Sequence, residues 1–298
     1  MSEHTPSETR TDGENSGDAG DSHEPDTDLG GTNAAAIHID GLAKRFDTAD
    51  GVETVFSDID LEIEPGSFVV LIGKSGSGKS TLLDIVSGVL DPSAGEVRFE
   101  RERSNGAPAT GSDDVELGHV FQSPRLLPWN TAVENVEFVH EDNPEYSDEL
   151  AREYLDLVGL SDQYESYPGQ LSGGQCQRVG IARALSIDPE VLLMDEPFSN
   201  LDEITAESLR RELLSVWRRL GRTVLFVTHD ITEAVQLADR IVMLGDGAIY
   251  ADLAVDLPRP REVDSAEFIR FRQQAVERFH SIDEPASGTD GSEGRNGG

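Results

Sequence analysis

The stretch "GKSGSGKSTLL", residues 73–83, contains the residues whose types and spacing most clearly predict chemistry. Residues 73–80 match the pattern G-x-x-x-x-G-K-[ST] at every specified position. The glycines let the backbone turn sharply and direct its N–H groups inward, and the start of a following helix adds positive potential, so the loop suits a phosphate group. The loop follows the apolar run "SFVVLI" and precedes a helical pattern that begins near residue 79, which is the context that the pattern requires. A glycine-rich turn without a ligand is therefore the weaker interpretation.

Two residues of this loop have roles that follow from their chemistry. The Lys79 ammonium is expected to contact the β- and γ-phosphates of a nucleotide, and the Ser80 hydroxyl is expected to ligate Mg²⁺. Lys74 occupies a position that the pattern leaves free, and the chain has only one further lysine, Lys44. The residues that we predict to bind nucleotide here are Gly73, Lys74, Ser75, Gly76, Ser77, Gly78, Lys79, Ser80 and Thr81.

The stretch "VLLMDEP", residues 191–197, supplies two adjacent carboxylates after an apolar run. Asp195 is expected to hold Mg²⁺ at the end of a buried strand, where doubly wound sheets present ligands. Glu196 is the candidate general base for a water that attacks the γ-phosphate. Adjacent strand residues point to opposite faces, so both side chains reach one site only if the strand ends there, which Pro197 favours. Without the phosphate loop, an acidic pair exposed to solvent would be the better interpretation.

The elements that must position these residues form a mixed α/β pattern. "SFVVLIG", "EVLLMDE" and "RTVLFVTH" are continuous apolar runs typical of strands covered on both faces. "FSDIDLEI" alternates like a strand with one buried face, and "RIVMLGDGAIYADL" predicts a hairpin with Asp246 and Gly247 as its turn. Between about residues 125 and 187 the period becomes helical, and "DELAREYLDLVGL" places on one face Leu150, Tyr154, Leu157 and Val158.

Composition divides the chain into three parts. Residues 1–35 and 281–298 are polar, acidic and nearly free of large apolar side chains, so we expect two disordered tails. Residues 36–280 contain the apolar residues of one domain, with the helical subdomain at about 125–187. No apolar run is long enough to span a bilayer, the N-terminus lacks signal-peptide features, and Cys176 is the only cysteine, which together favour an intracellular protein.

The net charge of −34 is not confined to the expected tails. Residues 1–35 contribute nine acids and one arginine, and residues 283–298 contribute four acids and one arginine, which leaves −23 on the remainder. Such a surface repels nucleic-acid phosphates, so nucleic acid is not an expected partner. The surface also repels itself unless ions screen it. Scarce lysine beside abundant Arg, Asp and Glu favours a cytoplasm of high ionic strength, as in a halophilic archaeon, over an ordinary acidic protein.

At "LSGGQCQR", residues 171–178, the sequence resembles the nucleotide-binding subunits of ABC transporters, and the resemblance covers about residues 37–279. The order of phosphate loop, LSGGQ signature and "VLLMDE" makes it highly specific. It implies an α/β fold: a P-loop NTPase core of mixed sheet and flanking helices, an antiparallel β part and an inserted α-helical subdomain. It also implies ATP and Mg²⁺ as cofactors and ATP hydrolysis. In this family two subunits pair head to tail, so the signature would act on the partner's nucleotide through Ser172, Gly173, Gly174 and Gln175.

The resemblance also implies roles for residues outside these three motifs. Gln122, after "LGHVF", corresponds to the glutamine that senses Mg²⁺ and the attacking water, and His229 in "VTHD" corresponds to the histidine that contacts the γ-phosphate. Asp202 ends "NLD", which is similar to the family's S/A-L-D loop, although Asn200 replaces the commoner residues. Phe46 in "LAKRF" stands where an aromatic ring stacks on adenine, and a ring in the core is the alternative. The predicted catalytic residues are Lys79, Gln122, Glu196 and His229. The predicted metal ligands are Ser80, Gln122 and Asp195.

Further stretches, among them "SPRLLPWNTAVENVEF" and "VDLPRPR", resemble the importer subfamily for nitrate, sulfonate, taurine and related small anions. This implies an ATPase at the cytoplasmic face of the membrane. Its partners would be a second ATP-binding subunit, most simply an identical one, a transmembrane permease and, indirectly, an extracytoplasmic solute-binding protein. The alternative is a soluble ABC-type ATPase of nucleic-acid or ribosome metabolism. Only about 90 residues separate the phosphate loop from the signature, which leaves no room for the long coiled coil of DNA-repair relatives.

Overall fold

The computed structural model describes residues 34–49, 51–102, 108–110, 115–140, 143 and 146–281. The strands in chain order are β1 (Ala36–Thr48), β2 (Gly51–Ile63), β3 (Phe68–Gly73), β4 (Ala94–Glu102), β5 (Pro108–Thr110), β6 (Leu117–Val120), β7 (Val191–Asp195), β8 (Thr223–Thr228), β9 (Arg240–Gly245) and β10 (Ala248–Ala254). The helices are α1 (Lys79–Val86), α2 (Ala132–Glu137), α3 (Asp148–Leu157), α4 (Gly173–Ser186), α5 (Glu203–Leu220), α6 (Ile231–Leu237) and α7 (Ala266–His280), with short 3-10 turns at Phe138–His140 and Pro168–Gln170. Within the described ranges, no helix has the length and apolar character needed to cross a bilayer.

A six-stranded sheet in the order β10-β9-β3-β8-β7-β6 forms the centre of the fold. Its strands are parallel except β10, which pairs antiparallel with β9. Every residue of β3 and β8 is buried, as their continuous apolar runs predict for strands covered on both faces. The carboxyl ends of β3, β6, β7 and β8 meet at one edge of this sheet, so the loops that follow them lie together.

A second, antiparallel sheet in the order β2-β1-β4-β5 provides the predicted antiparallel part. The alternation expected in "FSDIDLEI" is present in β2, where Phe56, Ile59, Leu61 and Ile63 are buried. The buried positions change from even-numbered to odd-numbered residues at Asp58, whose φ of 58° lies in the left-handed region. These side chains join a core cluster with residues of β3 and α1, so the two sheets bury a shared apolar layer.

The predicted hairpin of β9 and β10 is confirmed. Gly245 pairs with Ala248, and Asp246 and Gly247 lie between them with φ values of 48° and 76°. Two consecutive positive φ values define the tight turn that matches the twist of a hairpin, and Asp-Gly is a preferred sequence for it.

The buried face of α3 differs from the prediction. Tyr154 and Val158 are buried as expected, but Leu150 and Leu157 are only half-buried. Ala151 and Leu155 take their places, so the apolar stripe is rotated toward the neighbouring helices α2 and α4. A helix can approach others most closely on the side of a small residue, and the low hydrophobicity of alanine conceals that side in the sequence.

The ordered domain begins earlier than the composition indicates. Ala35, which we expected in the N-terminal tail, is fully buried, and its carbonyl oxygen accepts a hydrogen bond from the Thr223 hydroxyl at 2.6 Å. Residues 1–33 and 282–298, where both disordered tails were expected, lie outside the described residues. The helices α2, α3 and α4 fall within residues 132–186, inside the range expected for the helical subdomain. The limits of that subdomain stay a prediction.

Candidate functional site

The phosphate loop, residues 73–80, connects β3 to α1 and requires glycine at both positions that its pattern specifies. A Cβ on Gly73 would lie 2.3 Å from a carbonyl oxygen of β9. Gly78 has a φ of 94°, and a Cβ there would lie 2.7 Å from a methyl carbon of Val55 in β2. The two ends of the loop are therefore packed tightly against strands of the two sheets, and only residues without side chains fit there.

Lys79 lies beneath this loop. Its side chain is 5% exposed, and its Nζ donates hydrogen bonds to the carbonyl oxygens of Gly73 at 2.9 Å and Lys74 at 3.0 Å. Burial lowers the pKa of Lys79, and the carboxylates of Glu196 and Asp195 oppose that shift. The ammonium group is thus held by the loop backbone, within electrostatic reach of the predicted base Glu196 and the predicted metal ligand Asp195.

Two of the predicted metal ligands are in contact. The Ser80 hydroxyl donates a hydrogen bond to the Asp195 Oδ1 at 3.1 Å, from the first turn of α1 to the last residue of β7. Burial raises the pKa of Asp195, and the hydrogen bond from Ser80 acts in the opposite direction. A hydroxyl and a carboxylate at this separation are oxygen ligands of the kind that Mg²⁺ prefers.

Glu196 can share a site with Asp195, because the strand ends before Glu196, as the sequence analysis required. Strand β7 ends at Asp195, and Glu196 adopts a φ of 41°, so it leaves the alternation of the strand. Its Oε2 lies 3.0 Å from the Nδ1 of His229, which directly follows β8. The predicted base and the predicted γ-phosphate contact are therefore neighbours beside the phosphate loop.

Gln122 follows β6 and forms its hydrogen bond with a residue that the sequence analysis does not single out. Its Nε2 donates to the Ser199 hydroxyl at 3.1 Å, and that hydroxyl donates to the carbonyl oxygen of Glu196 at 2.9 Å. Ser199 could have been noticed because a serine three residues after Glu196, the first residue beyond a strand, is typical of a turn closed by its own hydroxyl. Its link to Gln122, 77 residues away, has no local signal.

The signature residues lie at the start of α4. The Ser172 hydroxyl accepts a hydrogen bond from the Gln175 N–H at 3.2 Å, and the Ser172 N–H donates to the Gln175 Oε1 at 2.9 Å, which is a capping box. Gly173 is exposed, in agreement with a helix start that leaves its N–H groups open. Gly174 is buried instead, because a Cβ there would lie 2.5 Å from the Thr205 methyl carbon of α5.

The two remaining predicted residues have structural contacts of their own. Asp202 caps α5: its carboxylate accepts hydrogen bonds from the Thr205 N–H at 3.1 Å and the Thr205 hydroxyl at 2.7 Å, and these bonds lower the pKa of Asp202. Phe46, near the end of β1, is 40% exposed, and the Lys44 Nζ lies 4.9 Å from its ring centroid. This exposure argues against a ring in the core, and stacking on adenine stays a prediction.

This chain is similar to known proteins over the region that contains these motifs. Residues 56–199 match the protein family described as ABC transporter. The aliphatic sulfonates import ATP-binding protein SsuB of Rhodopseudomonas palustris is 44% identical over 238 residues, which cover 79% of this chain and 80% of that protein. The chain belongs to the ABC transporter ATP-binding subunits.

Other ABC proteins are similar to nearly the same degree. The bicarbonate transport ATP-binding protein CmpD of Synechocystis sp. is 43% identical, covering 77% of this chain and 82% of that protein. The nitrate import ATP-binding protein NrtD of Synechococcus elongatus is 41% identical, covering 82% of this chain and 92% of that protein. A dimeric post-hydrolysis structure of the ATP-binding cassette MJ0796, bound to ADP and Pi, is 32% identical with a TM-score of 0.64, covering 74% of this chain and all of that one.

ABC ATPases bind ATP with Mg²⁺, and the residues present here fit both. The Ser77 hydroxyl is buried within the loop without a hydrogen-bond partner among the described residues, so it can serve a phosphate oxygen. A cavity of about 340 Å³ opens beside the loop, lined by residues 74–77, by residues 245–247 and by Thr54 and Val55. Lys79, Ser80 and Asp195 supply the cation and the oxygen ligands.

Proposed function

We propose that this chain binds and hydrolyses MgATP as a subunit of an importer for a small anion. The contact of Glu196 with His229 beside the phosphate loop carries the proposal, because it joins a candidate base to a residue that can hold it in place. The relatives are named for aliphatic sulfonates, bicarbonate and nitrate at identities of 44%, 43% and 41%. All three cargoes are small anions, and the near-equal identities support that class rather than one member of it.

In the proposed reaction, one group of residues binds the nucleotide and another group transfers the proton. Lys79 and the loop N–H groups would hold the phosphates, and Ser80 and Asp195 would hold Mg²⁺, which when bound would offset the charge of the phosphate oxygens. The Glu196 carboxylate takes a proton from the water whose oxygen attacks the γ-phosphorus, while the bond to the bridging oxygen breaks. His229 keeps the carboxylate in place and Gln122 orients the water.

A second copy of this chain is the proposed partner at the nucleotide. The phosphate loop and the capped start of α4 are both suited to phosphate, and head-to-tail pairing would bring the signature of one subunit to the loop of the other. The dimeric form of the similar cassette MJ0796 supports such a pairing. ATP would then be part of the interface, so that binding closes the dimer and hydrolysis reopens it.

The proposed site for the permease is a cavity of about 350 Å³ beside the exposed edge of β6. It is lined by His119, Phe121 and Arg125 on the sheet side and by Phe138 and Val139 of a 3-10 turn on the helical side. The last two side chains are 44% and 43% exposed, which leaves apolar surface beside the cavity for a partner to cover. The chain would thereby lie peripherally at the cytoplasmic face of the membrane, with the solute-binding protein contacting only the permease.

Replacing Glu196 with glutamine tests the proposal. Glu196→Gln should bind MgATP, lose nearly all hydrolysis and accumulate as a nucleotide-bound dimer, because binding survives while proton transfer fails. Labelled-nucleotide binding, phosphate release and size-exclusion chromatography measure the three outcomes. Lys79→Ala is the control, since it should lose binding itself. Turnover at the wild-type rate in Glu196→Gln would remove Glu196 as the base, and undiminished binding by Lys79→Ala would place the nucleotide elsewhere.

A further inference from the structure

Ser199 connects two residues of the candidate site although it is not among the residues predicted from the sequence. It lies in the turn after β7 and is exposed. Its hydroxyl donates to the Glu196 carbonyl oxygen at 2.9 Å and accepts from the Gln122 Nε2 at 3.1 Å. A hydroxyl has one proton to donate, so the two bonds use its donor and acceptor capacity in a fixed direction.

Glu196 depends on such support because of its backbone. A φ of 41° is uncommon for any residue other than glycine, and neighbouring bonds must hold it. The Glu196 N–H donates to the Val227 carbonyl oxygen at 2.9 Å, and the Glu196 carbonyl oxygen accepts from the Ser199 N–H at 3.2 Å as well as from its hydroxyl. The direction in which the carboxylate leaves the chain is therefore set partly by Ser199.

Gln122 connects this arrangement to the helical part of the chain. It follows β6 and precedes the helices within residues 132–186, so it stands at the start of the segment that enters them. Its carboxamide reaches the turn after β7 only through the Ser199 hydroxyl, as far as the described residues show. A displacement of that segment would either pull on the Ser199 hydroxyl or break the bond.

We propose that Ser199 is a positioning residue that couples Gln122 to the orientation of Glu196. The inference rests on the proposed ATPase function and assigns to the Ser199 hydroxyl the link between Gln122 and the Glu196 backbone. Ser199 does not touch the reacting atoms in this scheme. It acts on the rate of hydrolysis through the Glu196 backbone, while nucleotide binding by the phosphate loop is independent of it.

Ser199→Ala and Ser199→Thr separate this role from a structural one. Ser199→Ala removes both hydrogen bonds and should lower kcat about tenfold, with KM for ATP unchanged within about twofold, because the loss is confined to orientation of the base. Ser199→Thr keeps a hydroxyl and should restore most of kcat. The melting temperature should be unchanged in both, since the side chain is exposed.

Ser67 offers a matched control. Its N–H and hydroxyl donate to the Glu64 carbonyl oxygen at 3.2 and 2.6 Å, which is the same turn as that of Ser199, but located before β3 and away from the site. Ser67→Ala should leave kcat at the wild-type value. An equal loss in Ser67→Ala and Ser199→Ala would overturn the inference, because any turn serine would then have the same effect.

A double-mutant cycle with Gln122→Ala tests the coupling itself. If the two residues act through their shared bond, Ser199→Ala should lower kcat much less in the Gln122→Ala background than in the wild type. Wild-type kcat in Ser199→Ala, or fully additive losses, would overturn the positioning role while leaving the proposed function intact. A wild-type chain without Mg²⁺-dependent ATP hydrolysis would overturn the proposed function, and the inference with it.

Discussion

At the scale of single residues, the contact between Gly174 and Thr205 shows how closely the signature helix is packed. The Thr205 methyl carbon lies 2.5 Å from where a Cβ of residue 174 would be. The same threonine donates its hydroxyl to the Asp202 carboxylate at 2.7 Å, so its methyl group cannot turn aside without breaking that bond. The glycine thus serves the packing of α4 on α5 in addition to any contact with nucleotide.

We predict that Gly174→Ala lowers the free energy of unfolding by about 1–3 kcal/mol, the usual effect of overpacking a tight contact. Thr205→Ser removes the methyl group and keeps the hydroxyl, so Gly174→Ala combined with Thr205→Ser should recover most of the loss. Chemical unfolding measures both. Gly173→Ala is the control, because its Cβ would meet its nearest atom at an ordinary 3.7 Å. Equal destabilisation at positions 173 and 174 would show that the contact is not the cause.

The site residues that were predictable from the sequence are those marked by a local pattern, and their roles stay predictions. The phosphate loop, Asp195 and Glu196 follow from fixed spacings and from the end of an apolar strand, which the chain itself displays. Ser199 and Thr205 were not identified, because their importance comes from neighbours that only folding brings close: Gln122 for the first and Gly174 for the second.

At the scale of elements, a buried ion pair joins α5 to α6. The Arg210 Nη1 lies 3.4 Å from the Glu233 Oε1, and the two residues are 7% and 5% exposed. Arg210 also pairs with Glu203 in the first turn of α5. Helix α6 begins two residues after His229, and α5 begins one residue after Asp202. The ion pair between the two helices therefore also fixes the positions of His229 and Asp202 relative to each other.

The pKa of Glu233 predicts how this pair responds to pH. Burial raises the pKa, and the hydrogen bond with Thr228 and the charge of Arg210 oppose that shift. Arg210→Met removes one opposing influence, so the folded-state pKa should rise further above the unfolded value of about 4.3. An acid whose pKa is raised by folding loses stability as pH increases, because the unfolded state releases its proton first.

We therefore predict that Arg210→Met lowers the free energy of unfolding by about 3 kcal/mol or more at pH 8 and by clearly less at pH 5. At pH 8 the unpaired buried carboxylate must either stay ionised without its partner or take up a proton, and both cost free energy. In the Glu233→Gln background, Arg210→Met should have the same effect at both pH values, because no carboxylate at position 233 is left to titrate. Unfolding curves at the two pH values measure both effects. A penalty of equal size at pH 5 and pH 8 would mean that lost packing, not the charge of Glu233, destabilises the variant.

The elements were predictable where burial leaves a simple pattern. Strands β3, β7 and β8 are continuous apolar runs because both of their faces are covered. The β9–β10 hairpin was predictable because Asp-Gly is a preferred sequence for its two-residue turn. The predicted buried face of α3 was wrong by one position, because Ala151 is buried although alanine is not strongly apolar. Pairing of distant strands, such as β3 with β8, cannot be read from either strand alone.

At the scale of the whole molecule, the charge dominates. Most of the net charge of −34 belongs to the part between the two acidic termini, and exposed ion pairs there, such as Arg98 with Asp40, contribute little stability. Repulsion over this surface acts across the Debye length, which is about 10 Å at 0.1 M salt and about 3 Å at 1 M. The folded state should therefore gain more from salt than an expanded chain, in which the same charges lie farther apart.

We predict that the melting temperature rises by about 10 °C between 0.1 M and 2 M KCl, which corresponds to about 3 kcal/mol for a chain of this size. ATP hydrolysis should rise over the same interval, because only the folded state brings Glu196 to His229. Sucrose at matched osmolarity is the control: it favours compact states through exclusion from the surface but screens no charge, so it should reproduce little of the effect. Circular dichroism during heating and phosphate release follow both quantities. Complete folding and full activity without added salt would show that the acidic surface is tolerated unscreened, and that the high-salt cytoplasm inferred from composition is not needed.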